Sequence, residues 1–213
     1  MDNRTIQKMY DSFSSVPWFW ELDAWTCRAT ARSPYRGKVI DHLNIDESSR
    51  VLDVACGTGL NFDLLQDKLD GRGALVGIDY SPKTLGLARK RVEKRGWSNV
   101  TLIETDSAVY SAEEPFDAAL CTFAIEIIPP WRETVEMMVR SVRSGGRIGF
   151  IGFRESTKSG FSTFNPVWRA IGAPFGGVDL DRSVRSLLDE RCDESFYEEV
   201  YGGFYYLLVG EKR

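Results

Sequence analysis

The sequence predicts a doubly wound α/β fold, and three observations carry that expectation. Short, continuously apolar runs, VLDVAC (51–56), ALVGID (74–79), VTLIET (100–105), FDAALCTF (116–123) and RIGFIGF (147–153), read as strands buried on both faces. Stretches of helical pattern separate them. The first run ends in Cys56-Gly57-Thr58-Gly59, a glycine-rich bend between strand and helix. Such alternation implies a parallel sheet covered on both faces. Right-handed crossovers then gather the loops after the strands along one edge, where a ligand belongs.

Taken in order, residues 1–45 differ in composition from the rest of the chain and form an N-terminal segment. They hold Tyr10, Phe13, Trp18, Phe19, Trp20, Trp25 and Tyr35, broken by Pro17 and Pro34, and read as short helices ending near Leu43. Arg28, Arg32, Arg36 and Lys38 add charge there. They suit either anionic lipid headgroups or a solvated basic face over an aromatic core. Residues 46–213 form the main domain. LNFDLLQDKL is the helix after the glycine bend, and Ser81-Pro82 cap and open a second helix reaching about Arg95. TVEMMVRSV is a third, stopping at Gly145-Gly146. Residues 154–180, rich in Gly, Phe and Pro, read as an acceptor-side loop with one short helix near Pro166–Ile171. A helix around 183–190 comes next, and SFYEEVYGGFYYLLVG closes the chain as an antiparallel hairpin about Gly202-Gly203.

The bulk composition narrows the function. At 213 residues, 43% hydrophobic and 27% charged, the chain suits one globular domain with a small accessory segment. Its 27 basic and 31 acidic residues supply no whole-molecule field for nucleic acid, so none is expected as a partner. With no apolar signal core and no long apolar run, a cytoplasmic protein with at most peripheral membrane contact is expected. Cys27, Cys56, Cys121 and Cys192 form no CxxC pair, and His42 is the single histidine. No metal site is expected from that set.

The glycine bend admits several readings. A dinucleotide fingerprint wants a third small residue where Phe62 stands, and a P-loop wants a lysine that is absent. A plain βα turn remains. Two acids sharpen the choice. Asp79 ends the second strand, where a carboxylate accepts from ribose hydroxyls. Asp106 comes just after the third, suited to an adenine amino group or to capping a helix.

VLDVACGTG, GIDYSP, ETDS, FDAALCTFAIEIIP and VRSGGRIGF, in that order over about residues 45–153, resemble the successive motifs of class I S-adenosylmethionine-dependent methyltransferases. The resemblance implies a Rossmann-like, mostly parallel seven-stranded sheet with a C-terminal antiparallel hairpin. It implies S-adenosylmethionine as cofactor and S-adenosylhomocysteine as product. It places Asp53, Ala55, Cys56, Gly57 and Gly59 at the methionine end, with Asp53 reaching the amino group directly or through water. Asp79 falls on the ribose, Tyr80 beside the adenine, and Asp106 with Ser107 at the adenine edge. Thr122 and Phe123 flank the transferred methyl. Cys56 stands where the family often has Gly and reads as a small space-filler.

Methyl transfer from a sulfonium is a displacement that alignment of the reactants can largely drive. A base is needed only where the acceptor carries a proton that leaves early. His42 precedes the first strand, away from the active edge, which favours an amine, thiolate or stabilised carbanion over a phenol or alcohol. Glu126, an acid set among isoleucines beyond the fourth strand, is the first catalytic candidate. It suits an amine acceptor, or a carboxylate turned to water or capping the next helix. Tyr10 is the second, because Tyr10-Asp11 and the aromatics after it resemble openings of methyltransferases related to ubiquinone-biosynthesis and phosphatidylethanolamine N-methyltransferases. In that group the segment closes over cofactor and acceptor. Phe161, Phe164, Trp168 and Phe175 are expected to wall an apolar pocket. The expected activity is methyl transfer to a small or lipid-linked acceptor, leaning to an amine. The alternatives are quinone-pathway or other C-/O-methylation, and a non-catalytic adenosylmethionine-binding module.

Overall fold

The computed structural model describes residues 34–172 and 179–213, so Tyr10, the first 33 positions and Phe175 lie outside the described residues. Continuous apolar runs become strands here, and the central ones are buried on both faces while the edge strand over residues 100–104 is only half-buried. Five run parallel: β1 (Arg50–Val54), β2 (Ala74–Asp79), β3 (Val100–Glu104), β4 (Phe116–Thr122) and β5 (Val142–Phe153). The C-terminal hairpin β6 (Cys192–Val200) and β7 (Tyr205–Lys212) pairs antiparallel on β5. The sheet order is β3-β2-β1-β4-β5-β7-β6. The order reverses between β1 and β4, and a crevice forms outside the carboxyl ends of strands at such a point.

The helices are α1 (Pro34–His42), α2 (Phe62–Leu69), α3 (Pro82–Arg95), α4 (Trp131–Ser141), α5 (Asn165–Gly172) and α6 (Val184–Asp189). One core joins Val51, Leu75, Leu120 and Ile151 to Leu43 of the α1 end, Phe62 of α2 and Leu85 of α3. The other joins Leu52, Ile78, Ala119 and Phe150 to Val135 and Met138 of α4. Alternate strand residues thus serve opposite layers. The cap at α3 is the expected one: the Ser81 hydroxyl accepts from the Thr84 N–H at 3.3 Å and Pro82 opens the helix.

Two local expectations change. The helix before β5 ends at Ser141, and Gly145-Gly146 lies within the strand. A Cβ at Gly146 would meet the Asp117 carbonyl at 2.5 Å, so this glycine permits close backbone passage rather than ending a helix. Residue 45 marks no change of packing either. Val39, Ile40 and Leu43 are fully buried, and Gly149 of β5 omits the Cβ that would press on Val39 at 2.7 Å. Helix α1 is therefore part of the sheet's covering layer. The His42 ring stacks on Phe196 at 3.8 Å between centroids. Among the described residues no helix is long and apolar enough to cross a membrane.

Candidate functional site

The chain leaves β1 through a bend with repeated positive φ: 52° at Ala55, 56° at Gly57 and 76° at Gly59. The two glycines differ in purpose. A Cβ on Gly57 would meet nothing within 4 Å, so its backbone faces open space. A Cβ on Gly59 would lie 2.6 Å from the Phe62 ring. That ring is fully buried and also fills the gap over Gly77. The departure from a dinucleotide fingerprint is thus accommodated by an aromatic packed where a small residue would let helix and strand approach.

Above the bend lies a cleft of about 1110 Å³ of empty space, part of it open to solvent. Ala55, Cys56, Gly57, Asp79, Tyr80, Asp106, Ser107, Thr122 and Phe123 all line it, as the sequence leads one to expect. Asp79 ties the rim together. Its Oδ2 accepts the Gly57 N–H at 2.8 Å, and its Oδ1 accepts the Ser81 N–H and the Thr84 hydroxyl, each at 2.9 Å. Burial pushes its carboxyl above the usual range, while these donors favour the charged form. Asp106 accepts the Ala108 N–H at 2.9 Å, so it closes a local turn as well as lining the cleft. The Ser107 hydroxyl bonds Thr134 at 2.9 Å. Cys56 has its thiol pushed well up by burial, which suits a space-filler and not a nucleophile.

Asp53 and Gly59 are not part of the lining. Asp53 is fully buried, and both its oxygens accept from Asn61 Nδ2 at 3.0 Å. Its influence reaches the cleft through a network and not by direct contact. Asn61 Nδ2 also donates to the Thr122 hydroxyl at 3.1 Å. Arg36 Nη1 donates to Asn61 Oδ1 at 2.5 Å and to Thr122 Oγ1 at 2.6 Å. Burial raises the Asp53 pKa to about 7, against the Asn61 bond and the Arg36 charge, which lower it. Arg36 lines the cleft while only 7% exposed, so it belongs neither to a solvated basic face nor to a headgroup-binding patch. A signal for it was available: Arg36, Ile40 and Leu43 fall on one helical stripe with buried neighbours. Asn61 carried no comparable signal.

On the far side of the cleft Phe123 adopts φ 58° and donates its N–H to the Ile151 carbonyl at 2.7 Å. Its ring begins an aromatic wall. Phe123 lies 5.4 Å from Phe153 and 6.0 Å from Tyr205; Trp168 lies 6.2 Å from Phe153 and 5.2 Å from Phe204. Of the expected wall residues that are described, Trp168 joins this cluster, whereas Phe161 and Phe164 are 48% and 59% exposed.

Glu126 is placed differently from both expectations. It is 1% exposed, directed neither to water nor into the cleft, and accepts the Tyr206 hydroxyl at 2.8 Å. Burial raises its pKa to about 7. Its neighbours Ile127, Ile128 and Pro129 line the cleft instead. Ile125 beside it joins the core, and the acid went with it.

The donor set has a charge order. Asp79 stands at one end of the glycine bend and Arg36 at the other, with bare backbone between them. That order fits adenosine hydroxyls at the acid and an amino-acid carboxylate at the cation.

Comparison with known proteins agrees. A family model described as a methyltransferase domain matches residues 51–146. Demethylmenaquinone methyltransferase of Bacillus velezensis is 26% identical over 192 residues, covering 89% of this chain and 78% of that protein. Its Bacillus subtilis counterpart is 25% identical over 182 residues, covering 84% and 73%. Among solved structures, the N-methyltransferase NodS from Bradyrhizobium japonicum superposes with a TM-score of 0.63 at 19% identity, covering 83% of this chain and 93% of that one. A methyltransferase-like chain complexed with the Haloferax volcanii Trm112 activator gives 0.75 at 13% identity, covering 95% and 97%. Likenesses at such identity bear on the fold alone.

Proposed function

We infer that this class I S-adenosylmethionine-dependent methyltransferase carries its methyl group to a planar, apolar aromatic acceptor of quinol type. The observation that carries this reading is the aromatic cluster of Phe123, Phe153, Trp168, Phe204 and Tyr205, which meets the cleft at Phe123. Half-buried aromatic faces at 5–6 Å spacing stack well on a flat ring. The names of the sequence relatives point the same way.

The lean toward an amine rested on the lack of a histidine at the active edge, on a family resemblance and on Glu126 as an acid facing the acceptor; of these supports, that acid is buried against Tyr206. Arg36 instead brings a cation to 4.9 Å from the Phe123 ring. A cation there disfavours a second one and suits an acceptor whose nucleophilic carbon or oxygen bears negative charge. A lipid-linked acceptor fits only through its ring.

The cofactor supplies a methyl group on a positively charged sulfonium. In this reading Asp79 takes the ribose hydroxyls, and Tyr80 lies against the adenine with Asp106 and Ser107 at its edge. Arg36 meets the methionine carboxylate. The glycine bend, Ala55 and Cys56 shape the floor, and Asp53 holds Asn61 and through it Thr122. The wall orients the acceptor ring and excludes water, so alignment supplies most of the acceleration. Tyr10 and the part of the 1–45 segment ahead of α1 remain proposed as a lid that completes this enclosure.

Turnover of labelled S-adenosylmethionine against matched panels of soluble quinols, phenols, primary amines and headgroup-amine vesicles tests the proposal. Methylation confined to planar quinols is the expected result. Turnover of the amines with none of the quinols overturns it.

A further inference from the structure

The carboxyl of Glu126 has no place in the cleft, yet it sits where three strands of the site end. It lies four residues beyond β4. Its Oε1 rests over Gly152 of β5, where any Cβ would overlap it, and accepts from Tyr206 of β7, the registered partner of Gly152. Its Oε2 is buried and has no hydrogen-bond partner. The main chain is clamped as well. The Glu126 carbonyl accepts the Asp179 N–H at 3.0 Å, and Arg182 donates to the carbonyls of Ile125 and Ile128. Next to each anchor stands a wall residue: Phe153 comes after Gly152, Tyr205 precedes Tyr206, and Phe123 ends the β4 edge.

We propose that Glu126 is a positioning residue for the acceptor wall, and that gain or loss of its proton resets the strand ends carrying Phe123, Phe153 and Tyr205. The proposal rests on the wall being the acceptor site. The physical cause is a carboxyl seated among apolar groups with one oxygen unpartnered. Its neutral form fits the seat, whereas its charged form is only partly compensated, by Tyr206, nearby backbone N–H groups and Arg182, with Oε2 left unpaired. The groups facing it are few. Tyr206 and Cys121 are both held protonated by burial. Arg182, whose side chain is 9% exposed, is the facing cation, and it acts on the carboxyl at a distance while bonded to backbone carbonyls. Burial brings the proton's departure to about pH 7, so both forms are populated near neutrality.

The test is a pH titration from 5.5 to 8.5 of the full chain with S-adenosylhomocysteine present, read by amide NMR, in parallel with acceptor kinetics. The amides of Phe123, Phe153 and Tyr205 should share one inflection near pH 7. Glu126→Gln should abolish it. Tyr206→Phe removes a bond that favours the charged carboxylate and should move it to higher pH. With a working planar acceptor, KM should rise several-fold across the same inflection in the native enzyme and stay flat in Glu126→Gln, with adenosylhomocysteine affinity unchanged in both. Wall amides that do not titrate, or titrate unchanged in Glu126→Gln, overturn the proposal. Should that variant fail to fold, an unmoved inflection in Tyr206→Phe does the same. If the amides titrate together but no planar acceptor is turned over, the acceptor reading fails and the coupling of Glu126 to the wall stands.

Discussion

Arg36 and Thr122 lie 86 positions apart and meet at 2.6 Å on the floor of the cleft. This bond joins the helix before the first strand to the end of the fourth, and it brings a buried guanidinium to the cleft. A guanidinium keeps its charge even at 7% exposure, and Asn61, Thr122 and the nearby Asp53 offset the cost of burying it. Arg36→Gln should weaken S-adenosylmethionine binding about 10- to 100-fold, the loss of one charged hydrogen bond worth about 1.5–3 kcal/mol. Arg36→Lys should restore little, because a single ammonium cannot replace the forked donors. Calorimetric titration of the cofactor measures both, and full affinity in Arg36→Gln would remove the carboxylate assignment.

Asp79 has one observed task and one proposed, and substitution separates them. Three donors of its own chain already occupy the carboxylate, so it holds the Gly57 bend in place before any ribose arrives. Asp79→Ala should weaken cofactor binding by at least about tenfold. It should also lower the melting temperature of the unliganded protein, since the Gly57 and Ser81 N–H groups lose their acceptor. A variant melting like the native chain but binding poorly would assign the residue to the ligand alone.

The strand positions, the capped helix at Ser81 and the terminal hairpin were legible because each is written in a local pattern: apolar runs, a Ser-Pro start, paired glycines between β-rich segments. The glycine bend and Asp79 were legible for the same reason. What stayed hidden depends on contacts distant in sequence. Nothing near Asn61 marks it as the bridge between Asp53 and Thr122, and nothing near Gly152 reveals that its missing side chain makes room for Glu126. Arg36 was misplaced by its company. Its basic neighbours suggested a surface, whereas its helical phase with Ile40 and Leu43 pointed inward.

Gly59 offers a test of the bend without any ligand. Alanine there must accept φ 76° and a Cβ at 2.6 Å from the buried Phe62 ring. Left-handed backbone and overpacking together should cost about 2–4 kcal/mol. Chemical denaturation of Gly59→Ala measures the loss. Adding Phe62→Leu should recover the packing share but not the backbone share, so the double variant should be more stable than the sum of the single effects. Simple additivity would show that the ring does not constrain the bend.

The last expectation concerns stability and proton uptake. The Glu126 pKa stands near 7 in the folded chain against an ordinary 4.5, so between those values the folded state holds a proton that the unfolded state has released. Stability attributable to this group is therefore full below about pH 4.5, falls as pH rises, and levels off above about pH 7. The shift corresponds to roughly 3 kcal/mol over the whole window. Glu126→Gln carries no such proton. The unfolding free energy of the native chain relative to this variant should therefore decline by roughly 2–3 kcal/mol from pH 5 to pH 8. Asp53, raised by burial in the same direction, is present in both proteins and cancels in the difference. Denaturant unfolding of the pair at several pH values measures it. A difference independent of pH would mean that Glu126 releases its proton in the ordinary range and is better solvated than its 1% exposure implies.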